Sequence, residues 1–170
     1  MSAVATGAPL LSAAVREAIA AEVTKYPQPR SALLIALHLI QGELGYVPLQ
    51  AQREVAELLG IKPIEVREVV TFYPMYHEHS VGKRNIQVCV NIACALGGAR
   101  HVVRGLEDRL GIAPGGRTPD GRYSLEEVQC LGSCGTAVCV QVNNEPYIEN
   151  VKADGPDAAN AIDELLKRIG

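Results

Sequence analysis

The chain concentrates little positive charge in one place. No run of Lys and Arg exceeds two residues, at Lys83-Arg84 and Lys167-Arg168, and the net charge is −3. Phosphate backbones are held by clustered cations, so nucleic acid is not an expected partner. Long apolar runs are also missing. The longest, residues 32–40, is interrupted by His38. It falls far short of the ~20 residues that cross a bilayer, so no direct membrane insertion is expected. The apolar start, residues 1–11, has no Lys or Arg before Arg16. It reads as neither a signal peptide nor an arginine-rich transit peptide, and a cytoplasmic location without structural disulfides is the expectation. No Gly-x-Gly-x-x-Gly follows a strand and no Gly-x-x-x-x-Gly-Lys occurs. Neither flavin nor nicotinamide should therefore bind to this chain alone. There is no Cys-x-x-Cys, hence no redox dithiol of that kind.

What is present is cysteine in two close pairs. Cys89-Val90-Asn91-Ile92-Ala93-Cys94 is followed, 35 residues on, by Cys130-Leu131-Gly132-Ser133-Cys134. Four thiolates on two short loops can hold a four-coordinate metal centre. Five cysteines in all is an odd set, which suits a four-ligand site plus one spare. Structural zinc favours pairs spaced by two to four residues, so zinc stays open on spacing alone, as do inert buried thiols. Each pair is expected where a strand ends, and Gly97, Gly98, Gly132 and Gly135 would let backbone N–H groups approach closely. Such groups stabilise the negative charge of an iron–sulfur cluster and raise its reduction potential.

The 170 residues are 48% hydrophobic, and a compact chain of this size buries roughly 70% of its unfolded surface. Residues 1–80 read as four short helices. Leu11, Val15, Ile19 and Val23 recur every fourth residue, with Ser12 as the cap. After the Tyr26-Pro27-Gln28-Pro29 break, a second helix runs from Arg30 to about Leu44. A third, from Leu49, ends at Gly60, and a fourth runs from Pro63 through Phe72. The period changes after Gly82. Ile86, Val88 and Val90 alternate as in a strand, residues 97–110 read as a helix, and strands are expected at 123–128, 138–142 and 146–148. Asn143-Asn144-Glu145 reads as a hairpin turn, Pro146 confines its strand to an edge or a first position, and residues 157–169 form a last helix. The fold class is α+β: a helical bundle over 1–80, then an α/β domain over 81–170.

A resemblance sharpens these expectations. Leu44-Gly45-Tyr46-Val47-Pro48, Val55-Ala56, Thr71-Phe72-Tyr73, Gly82-Lys83, Ile86-Gln87-Val88-Cys89, Cys94 with Gly97, and Cys130-Leu131-Gly132-Ser133-Cys134-Gly135 occur in that order. Over roughly residues 25–150 the chain resembles the NuoE-type subunits of respiratory complex I (NADH:quinone oxidoreductase), which join a helical domain to a thioredoxin-like [2Fe–2S] ferredoxin domain. The resemblance implies one [2Fe–2S] cluster held by Cys89, Cys94, Cys130 and Cys134. It implies a flavin- and NADH-binding (NuoF-type) partner that alone carries FMN and NAD(H), with further iron–sulfur subunits in a larger complex. The implied role is to exchange one electron with that flavin, the helical domain clamping the partner. Enzyme activity then belongs to the complex, peripheral on the cytoplasmic side of the inner membrane, and this chain has no catalytic residue. The chain departs from the family in one place: where members commonly have Ala-Pro after the last ligand, it reads Ala137-Val138. The small diaphorase subunit of an NAD-dependent hydrogenase or formate dehydrogenase resembles the same module. A stand-alone ferredoxin carrier and a zinc-stabilised interaction scaffold are two further readings.

Other residues carry plainer expectations. Cys139 alternates with Val138 and Val140 as a buried hydrophobe would. His77 and His79 sit too far from any cysteine in sequence for a mixed His/Cys cluster. His38 reads as a satisfied core or interface histidine and His101 as a surface one. Phe72, Tyr73 and Tyr76 read as core packing between the two domains, with a partner interface as the alternative.

Overall fold

The structure is a computed structural model that describes residues 9–143, 145–152, 155 and 157–170. The chain divides into two compact units, Met1–Ser80 and Val81–Gly170.

The first unit is helical. α1 spans Ala13–Val23, α2 Leu33–Leu44, α3 Leu49–Leu59 and α4 Pro63–Phe72, with a 3-10 turn at Pro29–Ala32 where the sequence suggested the start of α2. Ser12 caps α1 by accepting from the Val15 N–H at 3.3 Å. Gly45 and Gly60 end α2 and α3 in the left-handed region, at φ 80° and 64°, which a side chain resists. Ile19, Leu37, Ile40, Val55 and Val66 are fully buried between the helices. Each such side chain stabilises the fold by roughly 1.5–3 kcal/mol relative to exposure. The segment after α4 is tied back to α2. The Gln41 side chain donates to Met75 O at 2.7 Å and accepts from the His77 N–H at 2.8 Å. Tyr76 is buried, its hydroxyl 2.9 Å from both Leu34 O and His38 Nδ1. His38 is exposed with its Nδ1 satisfied, and Phe72 is 75% exposed with its ring edge-on to Tyr73 at 5.1 Å.

The second unit holds a three-stranded sheet. β1 is Arg84–Cys89, β2 Tyr123–Val128 and β3 Val140–Val142, in the order β2-β1-β3. β1 and β2 are parallel, in register from Arg84↔Tyr123 to Cys89↔Val128, and β3 runs antiparallel to β1. The parallel crossover is made by two helices, α5 at Ile92–Leu96 and α6 at Ala99–Leu110. A single helix from residue 97 was expected. It begins at Ala99, after Gly98 at φ 90°, and a further helix, α5, precedes it, so Cys94 lies inside a one-turn helix rather than ahead of one. α7, Ala158–Ile169, packs on α6 at Gly105, where an added Cβ would stand 2.6 Å from Ile162 Cγ1. The expected strand at 146–148 is reduced to one bridge, Ile148 to Val140, since Pro146 has no N–H to donate. Asn144 of the expected turn lies outside the described residues.

One end of the sheet is locked by polar groups. Ser124 Oγ accepts from the Gly82 N–H at 2.9 Å and donates to Asn85 Oδ1 at 2.7 Å, while Asn143 Oδ1 accepts from the Asn85 N–H at 3.0 Å. The cysteines are at the other end. No helix among the described residues is long and apolar enough to cross a membrane.

Candidate metal centre

Parallel pairing is what assembles the site. It delivers the C-terminal ends of β1 and β2 to one edge, so Cys89, opposite Val128, meets the loop that begins at Cys130. The ladder continues past both strands through Val90 N–H to Val128 O at 2.9 Å and Cys89 N–H to Cys139 O at 3.1 Å. Asn91 then turns the chain into α5, its Oδ1 accepting from the Ile92 N–H at 2.7 Å. Cys94 is the only buried residue of α5. On the other side, Gly132 (φ 78°) shapes the Cys130–Cys134 loop, and Cys134 opens a 3-10 turn, Cys134–Thr136. The Ala137–Val138 peptide that follows is cis.

All five cysteines are free thiols: Cys89, Cys94 and Cys139 buried, Cys130 and Cys134 exposed. The structure brings Cys89 and Cys94 together, side chain to side chain, with Cys134 in electrostatic reach of Cys94. Cys130 makes its described contact within its own loop, accepting from the Gly132 N–H at 3.3 Å. Backbone N–H groups are aimed at three of the four sulfurs. Burial pushes the Cys89 thiol up, but N–H groups of Asn91 and Leu131, with the Cys94 thiol, outweigh it and hold Cys89 below its ordinary value. Burial pushes Cys94 up; the Cys139 N–H opposes this, and the neighbouring Cys89 and Cys134 add to it. Cys139, the spare, is pushed to about 11 by burial and then by the Cys94, Cys89 and Glu149 charges.

The donor set is four thiols on two loops, with backbone N–H groups directed at the sulfurs. A structural zinc would draw four ligands to one ion at about 2.3 Å. A [2Fe–2S] cluster spreads four thiolates over two irons, and N–H groups aimed at sulfur answer the negative charge it carries. Cys89, Cys94, Cys130 and Cys134 are the residues that could hold it. Beside them, Ile92 and Leu96 stand on α5 on either side of Cys94, 76% and 86% exposed.

Sequence reasoning missed one part. Ser133 and Thr136 donate their hydroxyls to Glu149, which arrives from the segment after β3. Hydroxyls inside and just after the ligand loop were a signal that a partner exists. Nothing local in the sequence marked Glu149 as that partner.

Comparison with known proteins gives a family and a setting. The model of the thioredoxin-like [2Fe–2S] ferredoxin family matches residues 19–165. The second E-type subunit of the NADH-quinone oxidoreductase of Rhizobium meliloti (strain 1021) is 40% identical over 144 residues, covering 85% of each chain. Subunit 2 of the same enzyme from Thermus thermophilus is 43% identical over 129 residues, 75% of this chain and 71% of the relative. The E-type chain of the Escherichia coli (strain K12) enzyme is 35% identical over 158 residues, 93% of this chain and 91% of the relative. Among solved structures, an NAD+-reducing [NiFe]-hydrogenase in the H2-reduced state superposes with a TM-score of 0.64 at 23% identity. That match covers 81% of this chain and 22% of the hydrogenase chain, and it speaks to fold alone.

Proposed function

This chain belongs to the thioredoxin-like [2Fe–2S] ferredoxin family, and from that premise we propose that it is the electron-transfer subunit of the NADH dehydrogenase part of an NADH:quinone oxidoreductase. Cys89, Cys94, Cys130 and Cys134 hold the cluster. When bound, a [2Fe–2S] cluster accepts and returns one electron at a time, whereas NADH delivers two to flavin. The chain therefore exchanges one electron with a flavin carried by a partner subunit, which also binds NADH. The observation that carries this reading is the close pair Cys89 and Cys94 at the sheet edge to which β2 brings the Cys130–Cys134 loop, with backbone N–H groups on the sulfurs.

The chain's own residues have plain tasks. β1 and β2 fix the two loops in register. The N–H groups of Asn91 and Leu131 favour thiolate over thiol at Cys89, and the Gly132 N–H donates to Cys130 Sγ. Ile92 and Leu96 offer an apolar surface next to buried Cys94, where a partner would exclude water. The helical unit, residues 1–80, serves as a clamp on the partner, and further iron–sulfur subunits complete the assembly. The complex places the chain peripherally on the cytoplasmic side of the inner membrane. A diaphorase subunit of an NAD-linked hydrogenase, which resembles the same module, is the second reading. The relatives at 35–43% identity are quinone oxidoreductase subunits and outweigh it.

The test is iron, acid-labile sulfide and zinc on anaerobically purified protein, with low-temperature EPR after dithionite. About two irons and two sulfides per chain with a reduced spin-half signal are expected, the stoichiometry of a [2Fe–2S] centre. One zinc with no sulfide and no signal would end the electron-transfer reading.

A further inference from the structure

The most organised polar group near the four thiols lies behind the Cys130–Cys134 loop. Ser133 sits between the two cysteines and Thr136 just after them, their hydroxyl oxygens 2.7 Å apart. Both donate to the same carboxylate oxygen, Glu149 Oε1, Thr136 at 2.6 Å. Thr136 Oγ1 also lies 3.3 Å from Ser133 O. Glu149 is not a loose surface side chain, because the backbone on both sides of it is pinned to the stretch that leaves the loop. Ile148 and Val140 exchange N–H···O bonds of 2.8 and 2.9 Å. Asn150 N–H donates to Thr136 O at 2.9 Å and Val151 N–H to Val138 O at 3.1 Å. Asn150 takes the left-handed region at φ 55°, a conformation Asn tolerates better than most residues. Residues 148–151 thus form a strap, with Glu149 facing the ligand loop. The Ser133 and then the Thr136 hydroxyl hold its carboxyl below the usual carboxylate range.

We propose that Glu149 is a positioning residue for the cluster: through Ser133 and Thr136 it fixes the shape of the Cys130–Cys134 loop, and its charge keeps the reduction potential low. This rests on the reading that the four cysteines hold a [2Fe–2S] cluster. Both parts follow from the geometry. The loop's two cysteines are exposed and only Leu131 between them packs on the core, so a carboxylate bridging the Ser133 and Thr136 hydroxyls adds a constraint at its far side. A fixed negative charge hydrogen-bonded to Ser133, between Cys130 and Cys134, opposes the arrival of an electron at a negative centre held by that loop. Hydroxyl hydrogens committed to a carboxylate are also withheld from the sulfurs, where donors would raise the potential.

Two variants of the full chain separate the parts. Glu149→Gln keeps an acceptor oxygen for both hydroxyls and removes the charge; Glu149→Ala removes both. Three measurements are made on each: amide hydrogen exchange of residues 131–136 in the metal-free chain, iron release to a chelator, and midpoint potential by EPR-monitored titration. Glu149→Ala should exchange faster in that loop and release iron roughly 10–100-fold faster, the usual scale for losing a group that orients a metal ligand. Glu149→Gln should release iron near the parent rate and titrate at a more positive potential. Parent-like exchange and iron release in Glu149→Ala would overturn the positioning role, and an unmoved potential in Glu149→Gln would overturn the electrostatic one. A parent chain that binds no iron or sulfide defeats the cluster reading instead, and the exchange measurement still decides whether the strap holds the loop.

Discussion

Cys89 and Cys94 are 4% and 2% exposed and belong to the apolar core that includes Val88, Val138 and Val140, whereas Cys130 and Cys134 stand in solvent on a loop tethered by hydroxyls and one carboxylate. The two pairs are proposed ligands of one centre, yet they are held by different physics. The first pair is fixed by packing, which is dense, non-directional and shared with the whole unit. The second has only Leu131 packed on that core and is otherwise fixed by a few directional bonds. Damage to the core should therefore loosen the first pair along with the fold, and damage to the strap should loosen the second pair alone.

The largest expected break comes from the core. Leu106 is fully buried, and Leu106→Ala should cost about 2–5 kcal/mol in the urea unfolding of residues 81–170, through lost transfer energy and a cavity. A loss under about 1 kcal/mol would mean that the site collapses around the cavity or that the side chain is not enclosed. A finer cut uses the cysteines themselves in metal-free protein. Cys94→Ser places a hydroxyl in an apolar site and should cost about 1–3 kcal/mol if it finds no partner. Cys134→Ser, on the exposed loop, should stay within about 0.5 kcal/mol of the parent. Equal losses for the two would erase the distinction between the pairs.

A last substitution lies in the helical unit, where it serves as a control that leaves both pairs alone. Burial, then Tyr73, raises the Tyr76 hydroxyl from 10.0 to about 12. A raised folded-state value means this contribution is intact below pH 10 and is lost as the pH climbs from about 10 towards 12. Tyr76→Phe should flatten that alkaline decline and cost about 0.5–1.5 kcal/mol at neutral pH, through its bonds to Leu34 O and His38 Nδ1. An unchanged alkaline decline in Tyr76→Phe would assign the pH dependence to another group.

The sequence disclosed what is periodic or local. The apolar spacing of residues 11–23, the glycines at 45 and 60, the alternation before Cys89 and the two cysteine pairs all act within a turn or two of chain. What escaped is set by longer-range geometry. One strong apolar stripe over residues 102–110 concealed the break at Gly98, because nothing in the pattern shows which glycine turns left-handed. The strand after Pro146 shrank to one bridge because a single missing donor decides it. Glu149 gave no sign, since its meeting with Ser133 and Thr136 depends on where β3 and its return segment lie. The same holds for the parallel register of β1 and β2, which brings the cysteines to one edge from positions far apart in sequence.

α5 is a helix of five residues, well under the ~12 at which isolated helices begin to hold in water. Its Asn91 cap and the burial of Cys94 are what keep it in place. In genetic terms, position 94 is one codon with two duties. Under the proposed function, a substitution there is at once a lesion in electron transfer and a lesion in local architecture, and a suppressor that repairs the helix elsewhere would restore only the second.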